Sequence, residues 1–253
     1  MIEQEQKRRF KSMMKEYQAR VGWLNSLITD PAGERYLHKK SPTEMLKDYE
    51  KVIERTTSFL DFLGNPQDRY PSVHIAGTGG KGSTAIMIGA ILETYGFRTG
   101  VHTSPYLQVP NEKWILGGKM ISPSYLSNVI DDIRGKYDAF VKLNAHLRPT
   151  YTETQVELTH QLFSQEHVDF GIIETGMGGR YDPTNVLHPE ISVITNVDFD
   201  HVDQLGPSLK EIAGHKTGII KADTPVVTGI YTKEALQVLK KETKNKKAPL
   251  FQL

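Results

Sequence analysis

Residues 74–85 read HIAGTGGKGSTA, and the fold turns on whether this stretch is a phosphate-gripping turn. It departs from the usual GxxxxGK[ST] spacing, because Ile75 stands where the first glycine is expected and Gly82 separates Lys81 from Ser83. Its surroundings supply the missing context. VHIA is a short apolar run of the kind a buried strand shows. The following TAIMIGAILETYG is apolar on nearly every side, which predicts a buried helix with Gly96 as its stop. A glycine-rich turn between a strand and a helix N-terminus is where open α/β sheets bind anions. Gly77, Gly79, Gly80 and Gly82, with Thr78 among them, let backbone amides approach a phosphate closely. Lys81 adds charge, and Ser83 or Thr84 can offer a hydroxyl to Mg²⁺. A mobile surface loop would account for the glycines, but not for the strand before them, the helix after them and the lysine between.

The pattern continues outward from this turn. VHIA, TGVHT, FGIIE and ISVIT read as strands, separated by helical patterns near 82–95, 122–142, 151–166 and 208–221. That alternation predicts an α/β fold with a mostly parallel sheet and helices on both faces. Upstream, Phe10, Met13, Met14, Tyr17, Val21, Leu24 and Leu27 recur at helical spacing over residues 8–27. A second helix has clear ends: Ser41 and Glu44 form a capping box, Pro42 takes the first position and Gly64 is the stop. Its Met45, Tyr49, Val52, Ile53, Phe59 and Leu60 are core candidates. KKETKNKKAP over 240–249 reads as a solvated charged stretch. The expected organisation is an N-terminal helical extension over 1–40 and an α/β nucleotide-binding domain over 41–253.

Composition narrows the chemistry. Thirty-one Lys and Arg against 30 Asp and Glu leave no bulk field to attract nucleic acid or an anionic membrane. The sequence has no cysteine, which excludes disulfides, thiol nucleophiles and thiolate zinc sites. No run approaches the roughly 20 apolar residues of a spanning helix. The N-terminal MIEQEQKRRF has no apolar signal core, so a cytoplasmic protein is expected. Carboxylates, histidines, lysines, hydroxyls and backbone are left to do the work.

Five segments in register carry a resemblance. GTGGKGST resembles the GTNGKGST loop of folylpolyglutamate and dihydrofolate synthases, a branch of the Mur ligase superfamily. TSPYL at 103–107 and NEKWILGGKMIS at 111–122 are similar to that family's TSPHL and its NER-containing loop leading to an IS helix start. ETGMGGRYDPTN at 174–185 and ITNVDFDHVDQLGPSLKEIAGHKTGIIK at 194–221 resemble two further family segments. The resemblance runs from about residue 45 to about residue 230.

It implies an ATP-dependent amide ligase that works through an acyl phosphate, adding L-glutamate to a folate or dihydropteroate carboxylate with Mg²⁺ as cofactor. On this resemblance Gly77, Thr78, Gly79, Gly80, Lys81, Gly82, Ser83 and Thr84 hold ATP. Ser83, Glu174 and His201 hold metal, and Lys216 joins them as a lysine carrying a CO₂-derived carbamate. Lys81, Lys216, Glu174 and His201 are then the catalytic set. Thr152 and Glu153 of PTYTET, with Tyr181, Asp182 and Pro183, would contact the pterin-bearing substrate. Several positions depart from the family pattern: Thr152 replaces an aromatic residue, Tyr106 a histidine, Gly79 an asparagine, His215 a glutamate and Lys113 an arginine. The family's second, C-terminal domain is expected to be absent here and supplied elsewhere. Two other readings stay open. One is a Mur-type ligase acting on a peptidoglycan precursor, disfavoured by the extra Gly82; the other is a nucleotide-binding or interaction module of the same fold without ligase activity.

Overall fold

The computed structural model describes residues 2–30 and 41–253. In chain order the elements are α1 (Ile2–Asn25), α2 (Pro42–Phe62), β1 (Ser72–Ala76), α3 (Lys81–Thr94), β2 (Thr99–His102), β3 (Trp114–Leu116) and β4 (Lys119–Met120). There follow α4 (Pro123–Leu143), α5 (Tyr151–Gln165), β5 (Phe170–Glu174), β6 (Ile191–Ile194), α6 (Val202–Leu205), α7 (Leu209–Lys216), β7 (Val226–Thr228), α8 (Lys233–Lys246) and β8 (Leu250–Gln252). The strands form one eight-stranded sheet in the order β4-β3-β2-β5-β1-β6-β7-β8. Pairing is parallel from β2 through to β8 and antiparallel only where β3 and β4 extend one edge. The α/β architecture expected from the alternation is therefore present.

Strand alternation divides the interior in two. Val73, Ile75, Val101 and Ile172 pack with Ala85 of α3 on one face. Their neighbours point the other way, so that Ile173 joins Ile130 and Ile133 of α4 and Leu158, Leu162 and Phe163 of α5 in the largest apolar cluster. Gly100 makes room for that cluster, since a Cβ there would sit 2.7 Å from the Phe163 ring. Burying this surface at roughly 25 cal/mol per Å² is the main term holding the layers together.

Residues 31–40 of the expected helical extension lie outside the described residues. Helix α1 shares the domain's core: Tyr17 Oη donates to Asn111 Oδ1 at 2.6 Å, and Leu24 and Leu27 pack with Phe59, Tyr137 and Phe140. The capping box of α2 forms as read, with Glu44 N donating to Ser41 Oγ at 3.3 Å and Ser41 N to Glu44 Oε2 at 2.8 Å. Such a cap is worth about 1 kcal/mol.

Two sequence expectations need correction, and four strands are added to those expected. The helix after the glycine turn is not buried all round: Ala85, Ile88, Gly89 and Leu92 face the sheet while Ile86, Met87 and Ile91 are exposed. No described element lies over that outer face. Strands β3, β4, β7 and β8, each of two or three residues, were not legible. The helix expected over 208–221 ends at Lys216 in a 3-10 turn. The charged stretch over 240–249 is solvated as expected, its lysines exposed on the second half of α8 and just beyond it.

Candidate active site

β5, β1 and β6 are adjacent and parallel, so the turns leaving their carboxyl ends meet: residues 77–80, 175–182 and 195–201. This is the edge at which open α/β sheets bind ligands. The glycine turn is clasped by the segment after β6. Asn196 Oδ1 accepts Thr78 N at 3.1 Å and Gly79 N at 2.8 Å, and Thr195 Oγ1 donates to the Gly79 carbonyl at 2.7 Å. Asp198 N donates to Thr78 Oγ1 at 3.0 Å. Only glycine fits at position 77, where a Cβ would lie 1.9 Å from Thr195 Oγ1.

These contacts revise the phosphate reading. The amides of Thr78 and Gly79 are spent on Asn196, and Thr84 Oγ1 donates to the Gly80 carbonyl at 2.8 Å. The free donors are the amides of Lys81, Gly82 and Ser83, because α3 opens after left-handed Gly80 with no side-chain cap and its first intrahelical bond is Thr84 N to Gly80 O. Ser83 is exposed.

Glu174 closes β5 beside this turn. It is buried at 3 % exposure with Oε1 3.8 Å from Lys81 Nζ, and Oε2 accepts the Ser104 amide at 2.9 Å. A Cβ at Gly82 would stand 3.1 Å from Oε2, so the glycine admits the carboxylate to the helix start. Burial raises its pKa, against the opposing pull of the Ser104 amide, Lys81 and Lys113. Ser83 and Glu174 are oxygen donors on adjoining segments and suit Mg²⁺, which favours oxygen ligands.

The other two expected metal residues lie differently. Lys216, at 1 % exposure, ends α7 under the turn and donates from Nζ to the Gly77 carbonyl at 2.8 Å. Burial, then the Lys81 charge, lowers its pKa to about 8, and as an ammonium it is no metal ligand. His201 has left-handed φ of 46°, is half-exposed and lies 3.6 Å from Asp200. Among the described residues no three His, Asp or Glu side chains are grouped to hold a metal ion.

The expected substrate residues are scattered in role. Thr152 is exposed on α5. Glu153 is fully buried: it accepts Arg55 Nη2 at 2.5 Å and Nε at 2.9 Å, and caps its own helix through the Thr150 amide at 2.7 Å. Tyr181 stacks on Tyr49, ring centroids 5.2 Å apart, with His215 edge-on. Asp182 accepts Met177 N at 2.9 Å, Thr184 N at 3.0 Å and Thr184 Oγ1 at 2.5 Å, and Pro183 opens the 3-10 turn that follows. Thr184 Oγ1 in turn lies 2.8 Å from Nε2 of His74, whose pKa burial pushes down to about 3. Glu153 and Asp182 thus fasten the scaffold, because their oxygens are filled by internal donors. A hollow lined by Ser26, Leu27, Thr29, Arg148, Pro149 and Thr150 includes none of the turn residues.

Thr195, Asn196, Ser104 and Lys113 complete the site, and the sequence reading gave none of them a role. Their signal was positional: ITN and TSP follow strands β6 and β2 at the same sheet edge.

A glycine turn from the central strand, an uncapped helix start, and a lysine facing a strand-end carboxylate define an α/β nucleotide-binding protein of the P-loop class. The Mur ligase middle domain matches residues 75–252, and the chain belongs to that family. It is 38 % identical over 202 residues to the dihydrofolate synthase/folylpolyglutamate synthase of Bacillus subtilis (strain 168), covering 79 % of this chain and 47 % of the relative. A Mycobacterium tuberculosis folylpolyglutamate synthase complexed with ADP superposes with a TM-score of 0.82 at 31 % identity, over 95 % of this chain and 50 % of the other. A solved FPGS–AMPPCP–folate complex gives 0.82 and 31 %, over 93 % and 53 %. The chain spans about half the length of the curated relatives it matches. Among the described residues no helix is long and apolar enough to cross a membrane.

Proposed function

We propose that this chain carries the ATP-binding and acceptor-activating part of an amide ligase that joins L-glutamate to a folate or dihydropteroate carboxylate, with further contacts made by a second domain. The observation that carries the reading is Lys81 facing Glu174 beside the uncapped start of α3. An acceptor carboxylate oxygen attacks the γ-phosphorus of ATP, the bond to the ADP oxygen breaks, and an acyl phosphate forms. The glutamate amine then displaces phosphate and loses a proton. In this scheme the amides of Lys81, Gly82 and Ser83 hold the β- and γ-phosphate oxygens, and Lys81 offsets charge gathering on the transferred group. Bound Mg²⁺, held by Glu174 and Ser83, would supply further charge neutralisation. Lys216 is a candidate for carbamate formation, since its low pKa leaves about 10 % free amine at pH 7. Cytoplasmic location belongs to the same proposal.

The test is ADP release by the protein, assayed with ATP and Mg²⁺ and with acceptor and glutamate added singly and together. Release that depends on both substrates, and is lost in Glu174→Gln, supports ligation. Mg²⁺-dependent AMPPCP binding without any dependence on acceptor or glutamate supports the second reading, a nucleotide-binding module. The observation that favours that alternative is Lys216, whose Nζ is engaged on the Gly77 carbonyl as an ammonium.

A further inference from the structure

Lys113 is a buried cation that the scheme above does not use. It ends the 3-10 turn Pro110–Lys113 and is only 8 % exposed. Its backbone is fixed: the Lys113 carbonyl accepts Thr103 N at 3.0 Å, and β2 and β3 pair His102 with Trp114 in the next register step. The preceding residues are fixed too. Glu112 accepts the amides of Leu107, Gln108 and Val109 at 2.7 to 3.1 Å, and Asn111 is held by Tyr17 and by the Ile121 carbonyl. Ser104, one residue beyond Thr103, donates its amide to Glu174. The Lys113 backbone is thereby held beside the β2 segment that carries Ser104, whereas Lys81 approaches Glu174 from α3.

The Lys113 ammonium acts electrostatically on Glu174 and Asp182 and on the His102 ring. Glu174 Oε2 accepts the Ser104 amide while Oε1 lies 3.8 Å from Lys81 Nζ, and the Asp182 oxygens accept from Met177 and Thr184. No side-chain hydrogen bond or ion pair to Lys113 exists among the described residues. A largely buried lysine costs free energy unless its charge meets an anion, and Glu174 and Asp182 offer Lys113 nearby charge without a hydrogen bond. On the ligase reading the acceptor must present an oxygen to the γ-phosphorus beside Lys81 and Glu174, and Lys113 is a second cation near that carboxylate.

We propose that Lys113 binds the acceptor's carboxylate, holding it beside the terminal phosphate of the nucleotide. This rests on the ligase reading and assigns that site a second cation, one for each reacting anion. A lysine suits the task because its three donors lie on a flexible stem and can follow the oxygen as it becomes part of an acyl phosphate.

The experiment is calorimetry on the full chain saturated with Mg·AMPPCP, titrated with folate, with pteroate, and with the carboxamide of each (the γ-carboxamide for folate). Lys113→Met is expected to weaken binding of the acids by about tenfold or more, while the neutral carboxamides and Mg·AMPPCP itself change less than about twofold. Lys113→Arg should recover most of the loss. Equal losses for acid and carboxamide would reveal a merely structural lysine, and unchanged acid affinity would remove the role; either overturns the inference. If the wild-type chain binds Mg·AMPPCP but neither acid, this inference falls and the nucleotide reading stands. If it binds no Mg·AMPPCP, the functional reading falls and takes this one with it.

Discussion

Lys81 and Glu174 face each other at 3.8 Å with side chains 15 % and 3 % exposed. That spacing is long for an ion pair and leaves the lysine free to turn toward a phosphate. Lys81→Ala should therefore leave the fold intact and weaken Mg·AMPPCP binding by about 1.5 to 3 kcal/mol, the worth of one charge-assisted hydrogen bond. Calorimetry on the variant, with circular dichroism as the folding control, reads this directly; unchanged affinity would remove Lys81 from the phosphate site. Both residues were legible in the sequence, because a lysine inside a glycine turn and an acid ending an apolar run are local signals. Lys113 and Asn196 were not. Their roles depend on which strands are neighbours, and β1 pairs with β5 and β6, about 100 residues downstream. The motif located Asp182, but not the donors from Met177 and Thr184 in its own turn that fill its oxygens.

At the scale of elements, the turn between β1 and α3 does not hold itself. Asn196, on the segment after β6, ties down two amides of that turn through one oxygen. Asn196→Ala leaves the exposed Gly79 amide to water and loosens the turn there, while Thr78 keeps the Asn196 carbonyl and its bonds with Asp198. The expected cost is about 1 to 2 kcal/mol in urea denaturation, with a further loss of nucleotide affinity as the turn must be ordered on binding. Gly77→Ala should cost more, since its Cβ would fall 1.9 Å from Thr195 Oγ1. Replacing Thr195 by Ala in the Gly77→Ala background should return part of that stability, and a double-mutant cycle with no coupling would refute the close-approach argument. The main helices and strands were readable because each is periodic or capped on its own. The edge strands β3, β4, β7 and β8 were hidden because two or three residues carry no period.

At the scale of the whole molecule, the turn, α7 and the sheet edge are locked through Lys216, whose ammonium is buried against the Gly77 carbonyl. Lys81 opposes its charge and Asp200 favours it, while burial dominates and lowers its pKa to about 8 from the ordinary 10.5. Between pH 8 and 10.5 the unfolded chain holds a proton on this lysine that the native state has released. Native stability should accordingly rise with pH across that window, by about 3 kcal/mol for the full shift. Below pH 8 both states are protonated and the penalty is present in full. Lys221 is lowered to about 8 as well, so the measurement compares wild type with Lys216→Met, in which Lys221 remains and cancels. Urea denaturation in CO₂-free buffer at pH 7.5 and pH 9.5 should show wild type gaining about 2 kcal/mol more than the variant. Added bicarbonate supplies the contrast. A free amine that takes up CO₂ in the native state alone forms a carbamate with release of a proton, and ligand linkage then stabilises the fold. Bicarbonate at constant pH should thus raise the urea midpoint of wild type and leave Lys216→Met unmoved. Equal midpoints in the two proteins would refute carbamate formation at Lys216, while the pH-dependent difference would still report its buried, weakened ammonium.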